Sequence, residues 1–301
     1  MSSLQSGSLV RHASLGVGKV VAVEPGAAHI FFPSSGGRFA AKLRLPNAAA
    51  LLTTEGITAD AWLAGLSSFT LDAESGRYAL TATWLTPTEA IERYAASAKG
   101  ADPKPGGERA VRWRAAHDAW VKELGGGTAE RLAGEADAPE LVRRALKIAA
   151  TLPPGVLEEG ALAAALSVPA STLVFFSALL ELVALPVPGK ARFEKLFAAA
   201  AVLPAPPASR WAVATLFPFL ARPDRHLVLV QKPASDAAAR LGRDLGCTPT
   251  PGWEPYGALR SLATELLEPL KAIGGQDFVD VECFLYATAT KRAPPKARRK
   301  S

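Results

Sequence analysis

Cysteine and long apolar runs are both scarce in this sequence. Only two of its 301 residues are cysteine, Cys247 and Cys283, and no histidine or further cysteine stands at a spacing that suits a metal ion. We therefore expect two reduced thiols and no cofactor. No apolar run reaches the ~18–20 residues that a transmembrane helix needs, and residues 1–8 lack the charged-then-apolar pattern of a secretory signal. These absences favour a soluble, cytoplasmic protein with no membrane partner.

Acidic residues are missing from residues 291–301, which we call the basic segment. It contains six bases: Lys291, Arg292, Lys296, Arg298, Arg299 and Lys300. The net charge of +6 therefore belongs to this segment, which excludes a uniformly basic nucleic-acid coat protein. Bases spaced by alanine and proline cannot form a packed core, so we expect the segment to be disordered and to bind DNA without sequence preference. A purely solubilising role is the alternative.

Alanine and other apolar residues dominate the middle of the chain. A hydrophobic content of 49% predicts a packed interior, and its high alanine share favours helices. We expect a mixed helix–hairpin segment over residues 47–99, a linker over 100–107 and an α-helical domain over 108–290. Residues 69–84 alternate as a β-hairpin does. Thr86 and Glu89 have the spacing of a capping box at a helix start.

Residues 1–46 differ from the rest of the chain. Short β-rich runs at residues 9–10, 19–23, 29–32 and 38–43 are separated by glycine-containing turns. So many short strands in so few residues predict a small bent barrel of the SH3-like or Tudor-like kind. The predicted fold class is α+β and multidomain, with this barrel followed by the helical body.

One motif in residues 1–46 resembles a bacterial pattern. It consists of Val10-Arg-His12 and Leu15-Gly16-Val-Gly18-Lys-Val20, followed by the aromatic pair Phe31-Phe32. It is similar to the small Tudor-like domain of UvrD-type helicases and to the RNA-polymerase-interacting domains of CarD-like regulators and transcription-repair coupling factors. The resemblance implies a bent barrel whose exposed strand edge or face docks on RNA polymerase. The remainder resembles only uncharacterised bacterial proteins, which implies no chemistry.

The charge of residues 1–46 agrees with a docking role. Five bases, Arg11, Lys19, Arg38, Lys42 and Arg44, stand against the single acid Glu24, whereas residues 47–290 carry a net charge of −4. Our leading hypothesis is a non-enzymatic accessory protein associated with transcription or nucleic acid. Its barrel would bind RNA polymerase or a helicase-like partner, and its basic segment would contact DNA. The alternative is that these bases are ordinary solvated side chains.

Residues 159–185 have the rhythm of a helix-turn-helix, a short helix and a longer one around a proline-containing turn. A recognition helix needs arginine, lysine, asparagine or glutamine to reach the base edges. The second helix has none of these, and its only charge is Glu181. A buried pair of core helices is therefore favoured over DNA recognition.

A cluster of polar residues in the helical body gives an enzymatic alternative, and we call it the alternative cluster. Its members are Asp224, Arg225, His226, Lys232, Asp277 and Asp280. A histidine beside an aspartate at the mouth of a strand, predicted over residues 226–230, could act in general acid–base catalysis. Because no nucleophile motif and no metal-ligand spacing accompany the cluster, structural ion pairs are favoured and no catalytic residue is assigned. A third hypothesis is a protein-interaction adaptor that binds no nucleic acid.

Overall fold

The computed structural model describes residues 4–35, 38–57, 60–80, 85–97, 107–184 and 189–289. The chain divides into two compact units: Met1–Ala90 with Ala238–Asp244, and Ile91–Ala237 with Leu245–Ser301. The first unit thus combines residues 1–46 with most of the predicted segment 47–99. The basic segment lies outside the described residues, as does the predicted linker apart from Gly107.

The first unit contains the strands of this mixed α/β protein. They are β1 (Leu9–His12), β2 (Gly16–Glu24), β3 (Ala27–Phe31), β4 (Ala41–Arg44), β5 (Leu52–Thr53), β6 (Phe69–Asp72) and β7 (Arg77–Leu80). The first five form an antiparallel sheet in the order β4-β3-β2-β1-β5, and β6 and β7 form the predicted hairpin. Since different strands, β4 and β5, stand at the two ends of this order, the described strands show a sheet and not a closed barrel.

Gly16 and Gly18 act differently at the β1–β2 turn. Gly16 has a φ of 73°, which a side chain would strain. Gly18 lies in β2, where a Cβ atom would stand 2.5 Å from the ring of Phe32. The His12 Nδ1 atom accepts hydrogen bonds from the turn, including one of 3.2 Å from the N–H of Ser14. The motif therefore combines a left-handed turn with close packing of a strand on an aromatic ring.

The sheet of the first unit is covered on both faces. One face packs around Ile30, Val10 and Val20, while Phe31 contributes to a second cluster with Trp62. Alternate residues of β3 point to the two clusters, so all of its residues are buried. Most of both sheet faces is consequently core, while the side chains of Lys42 and Arg44 in β4 remain exposed.

Residues 238–244 complete the first unit from a distant part of the chain. The Trp62 indole N–H donates to the carbonyl of Leu241 over 3.0 Å. The Ser67 N–H similarly donates to the Gly242 carbonyl over 3.0 Å. Gly242 has a φ of 72°, and a Cβ atom there would stand 2.1 Å from the Leu66 side chain. Glycine is therefore required at this approach.

Helices make up most of the described chain. They are α1 (Ala61–Gly65), α2 (Pro87–Ser97), α3 (Glu108–Leu124), α4 (Thr128–Gly134), α5 (Ala138–Ala149), α6 (Ala161–Ala165), α7 (Pro169–Val183), α8 (Lys190–Ala201), α9 (Arg210–Ala221), α10 (Gln231–Arg240), α11 (Trp253–Lys271) and α12 (Phe278–Ala289). The capping box opens α2: the Thr86 N–H donates to the Glu89 carboxylate over 2.9 Å, and the Glu89 N–H donates to the Thr86 hydroxyl over 3.1 Å.

The core of the second unit forms where α3 packs against α5, α9 and α12. Trp113 of α3 is fully buried and meets Phe219 of α9 edge to face, with ring centroids 4.9 Å apart. Phe175 and Phe176 of α7 are also fully buried. This burial agrees with the interpretation of α6 and α7 as core helices.

The strand predicted over residues 226–230 does not form: the segment belongs to no helix and pairs with no described strand. Instead, helix side chains satisfy its backbone. The Leu229 N–H donates to the Thr215 hydroxyl over 2.8 Å. The Tyr256 hydroxyl donates to the Leu227 carbonyl over 3.0 Å, and burial raises the pKa of Tyr256 to about 12. The apolar sequence thus correctly indicated a buried segment. Its backbone groups bond to helix side chains, so the segment does not join a sheet.

Candidate functional site

The outer edge of β4 offers unpaired backbone groups. The Leu45 N–H points inward, since it donates to the Gly26 carbonyl at the end of β3 over 2.8 Å. Hydrogen-bonding directions alternate along an antiparallel strand. The backbone N–H and C=O groups of residues 41 and 43 therefore also point toward β3. The backbone N–H and C=O groups of Lys42 and Arg44 therefore point away from the sheet. In the described part of the chain they have no hydrogen-bond partner.

The side chains of Lys42 and Arg44 are exposed on one face of β4. The Lys42 ammonium lies 3.1 Å from the Glu24 carboxylate, which is also 3.1 Å from the buried Nε2 atom of His29. Hydrogen bonds from Lys42 and then His29 lower the pKa of Glu24. Arg44 has no ion pair with any described carboxylate. The edge therefore combines accessible backbone groups with an uncompensated positive charge.

The hairpin of β6 and β7 closes the edge before residue 41. The Ala40 N–H donates to the Tyr78 carbonyl over 2.7 Å, and the Leu80 N–H donates to the Arg38 carbonyl over 2.9 Å. The Arg77 side chain also donates to the Ala40 carbonyl over 3.1 Å. No spacing in the sequence indicates this pairing. It limits the candidate docking edge to β4 itself.

Arg38 and Arg11 are exposed, but Arg38 precedes β4 on the stretch that the hairpin covers and Arg11 lies in β1. The Arg38 guanidinium stands 5.0 Å from the ring centroid of Phe39. The Arg11 side chain donates to the Gly56 carbonyl over 3.2 Å, beside the opposite edge of the sheet. Of the five predicted bases, the structure thus brings Lys42 and Arg44 together.

The prediction that Lys19 is an exposed base available to a partner is wrong. Its side chain is buried, and its ammonium donates to the carbonyls of Ala64 and Leu66, the latter over 2.6 Å. Burial, followed by repulsion from Arg243, lowers the pKa of Lys19. The Lys19 ammonium binds carbonyls near the end of α1 and is therefore not available to a partner. The six bases of the basic segment lie outside the described residues.

In the alternative cluster, Asp224 is held by two neighbouring arginines. Arg222 donates to its carboxylate through two hydrogen bonds of 3.0 and 2.9 Å, and Arg225 adds one of 3.1 Å. Hydrogen bonding to Arg222 is the main cause that lowers the pKa of Asp224. The carboxylate is therefore a poor proton acceptor, and its side chain is 53% exposed.

His226 is almost completely buried, with 1% of its surface exposed. Its ring meets Phe193 edge to face at 5.5 Å, and its Nδ1 atom has no hydrogen-bond partner. Burial, together with repulsion from Arg260, lowers its pKa to about 3. The imidazole is neutral at pH 7, and a pKa so far below the operating pH makes it a weak general base.

Asp277 and Asp280 share a single arginine. Arg114 lies 3.0 Å from each carboxylate, and Asp280 also accepts a 2.8 Å bond from the N–H of Gln276. Lys232 is exposed and pairs with Asp236 at 2.8 Å. These contacts have the character of structural ion pairs.

Among the described residues, a backbone hydrogen bond joins the two halves of the alternative cluster. The Phe278 N–H donates to the Pro223 carbonyl over 3.2 Å, which places the start of α12 beside residues 222–226. In each half, however, the aspartates pair with arginines of their own. Among the described residues no group of histidine, cysteine, aspartate or glutamate side chains could hold a metal ion.

The sequence motifs described above do not include a buried ion pair between α3 and α12. Arg109 donates to both oxygens of Glu282 over 2.9 and 2.5 Å, and the Trp113 indole N–H donates to the same carboxylate over 2.7 Å. The Arg109 guanidinium also lies 3.7 Å from the ring centroid of Tyr286. The spacing of Arg109 and Trp113, four residues apart on one helix face, was the available signal.

The described helices include none that is both long and apolar enough to cross a membrane. Comparison of the chain with protein-family models, with curated proteins and with solved structures gives no match.

Proposed function

We propose that this protein is a non-enzymatic accessory protein associated with transcription or nucleic acid. It binds a partner strand along the outer edge of β4, and the partner is RNA polymerase or a helicase-like protein. The observation that carries the proposal is the pair of residues Lys42 and Arg44, whose exposed side chains accompany outward-facing backbone groups. An extended strand that adds to such an edge gains main-chain hydrogen bonds, while neighbouring side chains provide selectivity.

The shape of the first unit supports an edge in preference to a face. The two hydrophobic clusters fill most of both sheet faces, so little flat surface remains on which a partner could dock. The hairpin occupies the edge as far as Ala40. The partner strand is therefore short, and acidic side chains on it would complement Arg44.

The basic segment gives the proposed protein a second contact. Its six bases have no acid among them, and bases of this kind bind the phosphates of DNA without reading its sequence. Docking through β4 would fix the position of the protein on its partner. The basic segment would then hold DNA nearby.

A proline substitution tests docking through the backbone of β4. Lys42→Pro removes the outward N–H but leaves the inward bonds of residues 41 and 43 to β3. Lys42→Ala removes the same side chain and keeps the N–H, so it is the matched control. In a pull-down from lysate with the full chain as bait, we expect Lys42→Pro to lose most of the RNA polymerase captured by Lys42→Ala.

A separate pair of variants tests how much the charge of Arg44 contributes to docking at β4. Arg44→Glu is expected to weaken capture several-fold, whereas Arg131→Glu on α4 changes an exposed arginine of the second unit and leaves capture unchanged. Equal polymerase capture by Lys42→Pro and Lys42→Ala would contradict docking at the edge. If the unsubstituted chain captures neither RNA polymerase nor a helicase, the proposed partner class is wrong.

A further inference from the structure

A groove of about 300 Å³ opens in the second unit between the end of α5, the following loop and the start of α6. Its walls are largely apolar and include Leu146, Ala149, Leu152, Leu157, Leu162 and Ala163. Several of these side chains remain accessible: Leu146 is 36% exposed, and Ala163 is exposed. The groove therefore offers an apolar surface that the described residues leave open.

Two glutamates give the groove a negative rim. Glu158 and Glu159 line it and are exposed. Neither carboxylate forms an ion pair with any described base. Several other acids of the second unit are paired, as Glu181 is with Lys195 and Arg192. An occupant of this groove should therefore be apolar in part and positively charged.

The end of α12 lies next to the groove. Gly155 lines the groove, and a Cβ atom built on it would stand 4.0 Å from the Tyr286 hydroxyl. Arg109, which stacks on the Tyr286 ring, also donates to the carbonyl of Pro154 in the groove wall over 3.2 Å. The helix ends at Ala289, less than one turn beyond Tyr286. The chain therefore leaves α12 close to the groove.

We propose that the basic segment of this chain docks in this groove. Its alanines and prolines suit the apolar walls, and its bases suit Glu158 and Glu159. Its eleven residues can span roughly 35 Å when extended, so the distance from α12 allows the contact. The inference concerns a contact within the chain and does not depend on docking at β4 or on DNA binding.

Limited proteolysis of the full chain tests the charge contribution. Trypsin cleaves after lysine and arginine, so mass spectrometry of peptides from residues 291–301 reports how accessible the segment is. The Glu158→Gln/Glu159→Gln variant removes the rim charge without adding a cleavage site. We expect its segment to be cleaved about threefold to tenfold faster at low salt, as expected for the loss of two exposed ion pairs.

The matched charge control is Asp118→Asn/Glu130→Gln. It removes two exposed carboxylates of the second unit that lie outside the groove, and we expect it to leave the cleavage rate unchanged. This comparison separates docking in the groove from a general change in net charge.

A bulky side chain tests the apolar contribution. Ala163→Trp would fill the groove, whereas Ala164→Trp places the same side chain at an exposed position of α6 that does not line it. We expect Ala163→Trp to accelerate cleavage and Ala164→Trp to have no effect. Circular dichroism would verify that all variants remain folded.

Two outcomes would overturn the proposal. One is that either groove variant is cleaved at the same rate as its matched control. The other is protection that increases with protein concentration, because the segment would then bind a second copy of the chain. An unchanged interaction with DNA or RNA polymerase would not affect the conclusion, since neither is present in the experiment.

Discussion

His226 illustrates at the scale of single residues how burial changes the chemistry that a side chain offers. In the sequence it stands between Arg225 and a strongly apolar run and suggests an acid–base group. In the structure its imidazole packs on Phe193 and has a pKa near 3. The neutral form is thus part of the core of the second unit.

The lowered pKa of His226 predicts a loss of stability in mild acid. Between about pH 6.5 and pH 3 the unfolded chain binds a proton at this histidine and the folded chain does not, so the free energy of unfolding decreases as the pH falls. By pH 5 the cost is about 2 kcal/mol relative to pH 7. Urea denaturation at the two pH values should show this decrease in the unsubstituted chain.

The control for this prediction is His226→Phe, which cannot be protonated. Its free energy of unfolding should fall by about 2 kcal/mol less over the same pH interval. An identical pH dependence for both proteins would show that other groups dominate the acid sensitivity.

Ala136 offers a stabilising substitution. It follows α4 with a φ of 55°, the only positive φ of a non-glycine residue in the described chain. A left-handed conformation costs an alanine about 1 kcal/mol, and glycine adopts it freely. Part of this gain is lost to the greater freedom of glycine in the unfolded state.

We therefore expect Ala136→Gly to raise the free energy of unfolding by about 0.5 kcal/mol, measured by urea denaturation. Ala133→Gly within the same helix, α4, should lower it by about 1 kcal/mol. Destabilisation by both substitutions would show that the conformation at residue 136 carries no strain.

At the scale of helices and strands, short-range signals predicted the structure well. The capping box at Thr86 and Glu89 and the hairpin of β6 and β7 depend on residues within a few positions of each other. Residues 226–230 behave differently, because an apolar run fits either a strand or a segment enclosed by helices. The hydroxyls of Thr215 and Tyr256 bind the backbone of this segment, which favours the segment enclosed by helices over a strand.

The buried pair of Arg109 and Glu282 couples α3 to α12. Removing one partner leaves an uncompensated charge in the core. Arg109→Met and Glu282→Gln are each expected to lower the free energy of unfolding by about 3–5 kcal/mol. The double variant should lose less than the sum of the two. A complete double-mutant cycle by urea denaturation measures the coupling.

The control is an exposed ion pair on the same helix. Arg112 lies 3.1 Å from Glu108, and both are largely exposed, so Arg112→Met should cost less than about 1 kcal/mol. Additive losses for Arg109→Met and Glu282→Gln would show that the two side chains contribute independently and would contradict the coupling.

At the scale of the whole molecule, the positive charge is concentrated in two parts of the sequence. Residues 1–46 have a net charge of +4 and the basic segment of +6, while residues 47–290 are mildly acidic. The burial of Lys19 reduces the accessible charge of the first part. The proposed DNA binding should therefore depend mainly on the basic segment.

This distribution predicts the salt dependence of DNA binding. Neutralisation of one phosphate by each of the six bases gives a slope of about −5 for the logarithm of the binding constant against the logarithm of the salt concentration. Deletion of residues 291–301 should bring the slope close to zero, while Lys42→Ala should preserve it. Gel-shift titrations at several salt concentrations measure both. An unchanged slope after the deletion would place the DNA contact elsewhere.

The sequence by itself determined the local features: the glycine turn after β1, the capping box of α2, the mainly helical character of residues 107–184 and 189–289, and the position of the basic segment. These depend on backbone preference and on neighbouring side chains. The tertiary structure decided which charges remain exposed, because burial depends on residues far apart in the chain. Lys19 meets the carbonyl of Leu66 across 47 positions, and Arg109 meets Glu282 across 173. Only folding brings such groups together, and only folding leaves the outer edge of β4 accessible while Lys19 becomes buried.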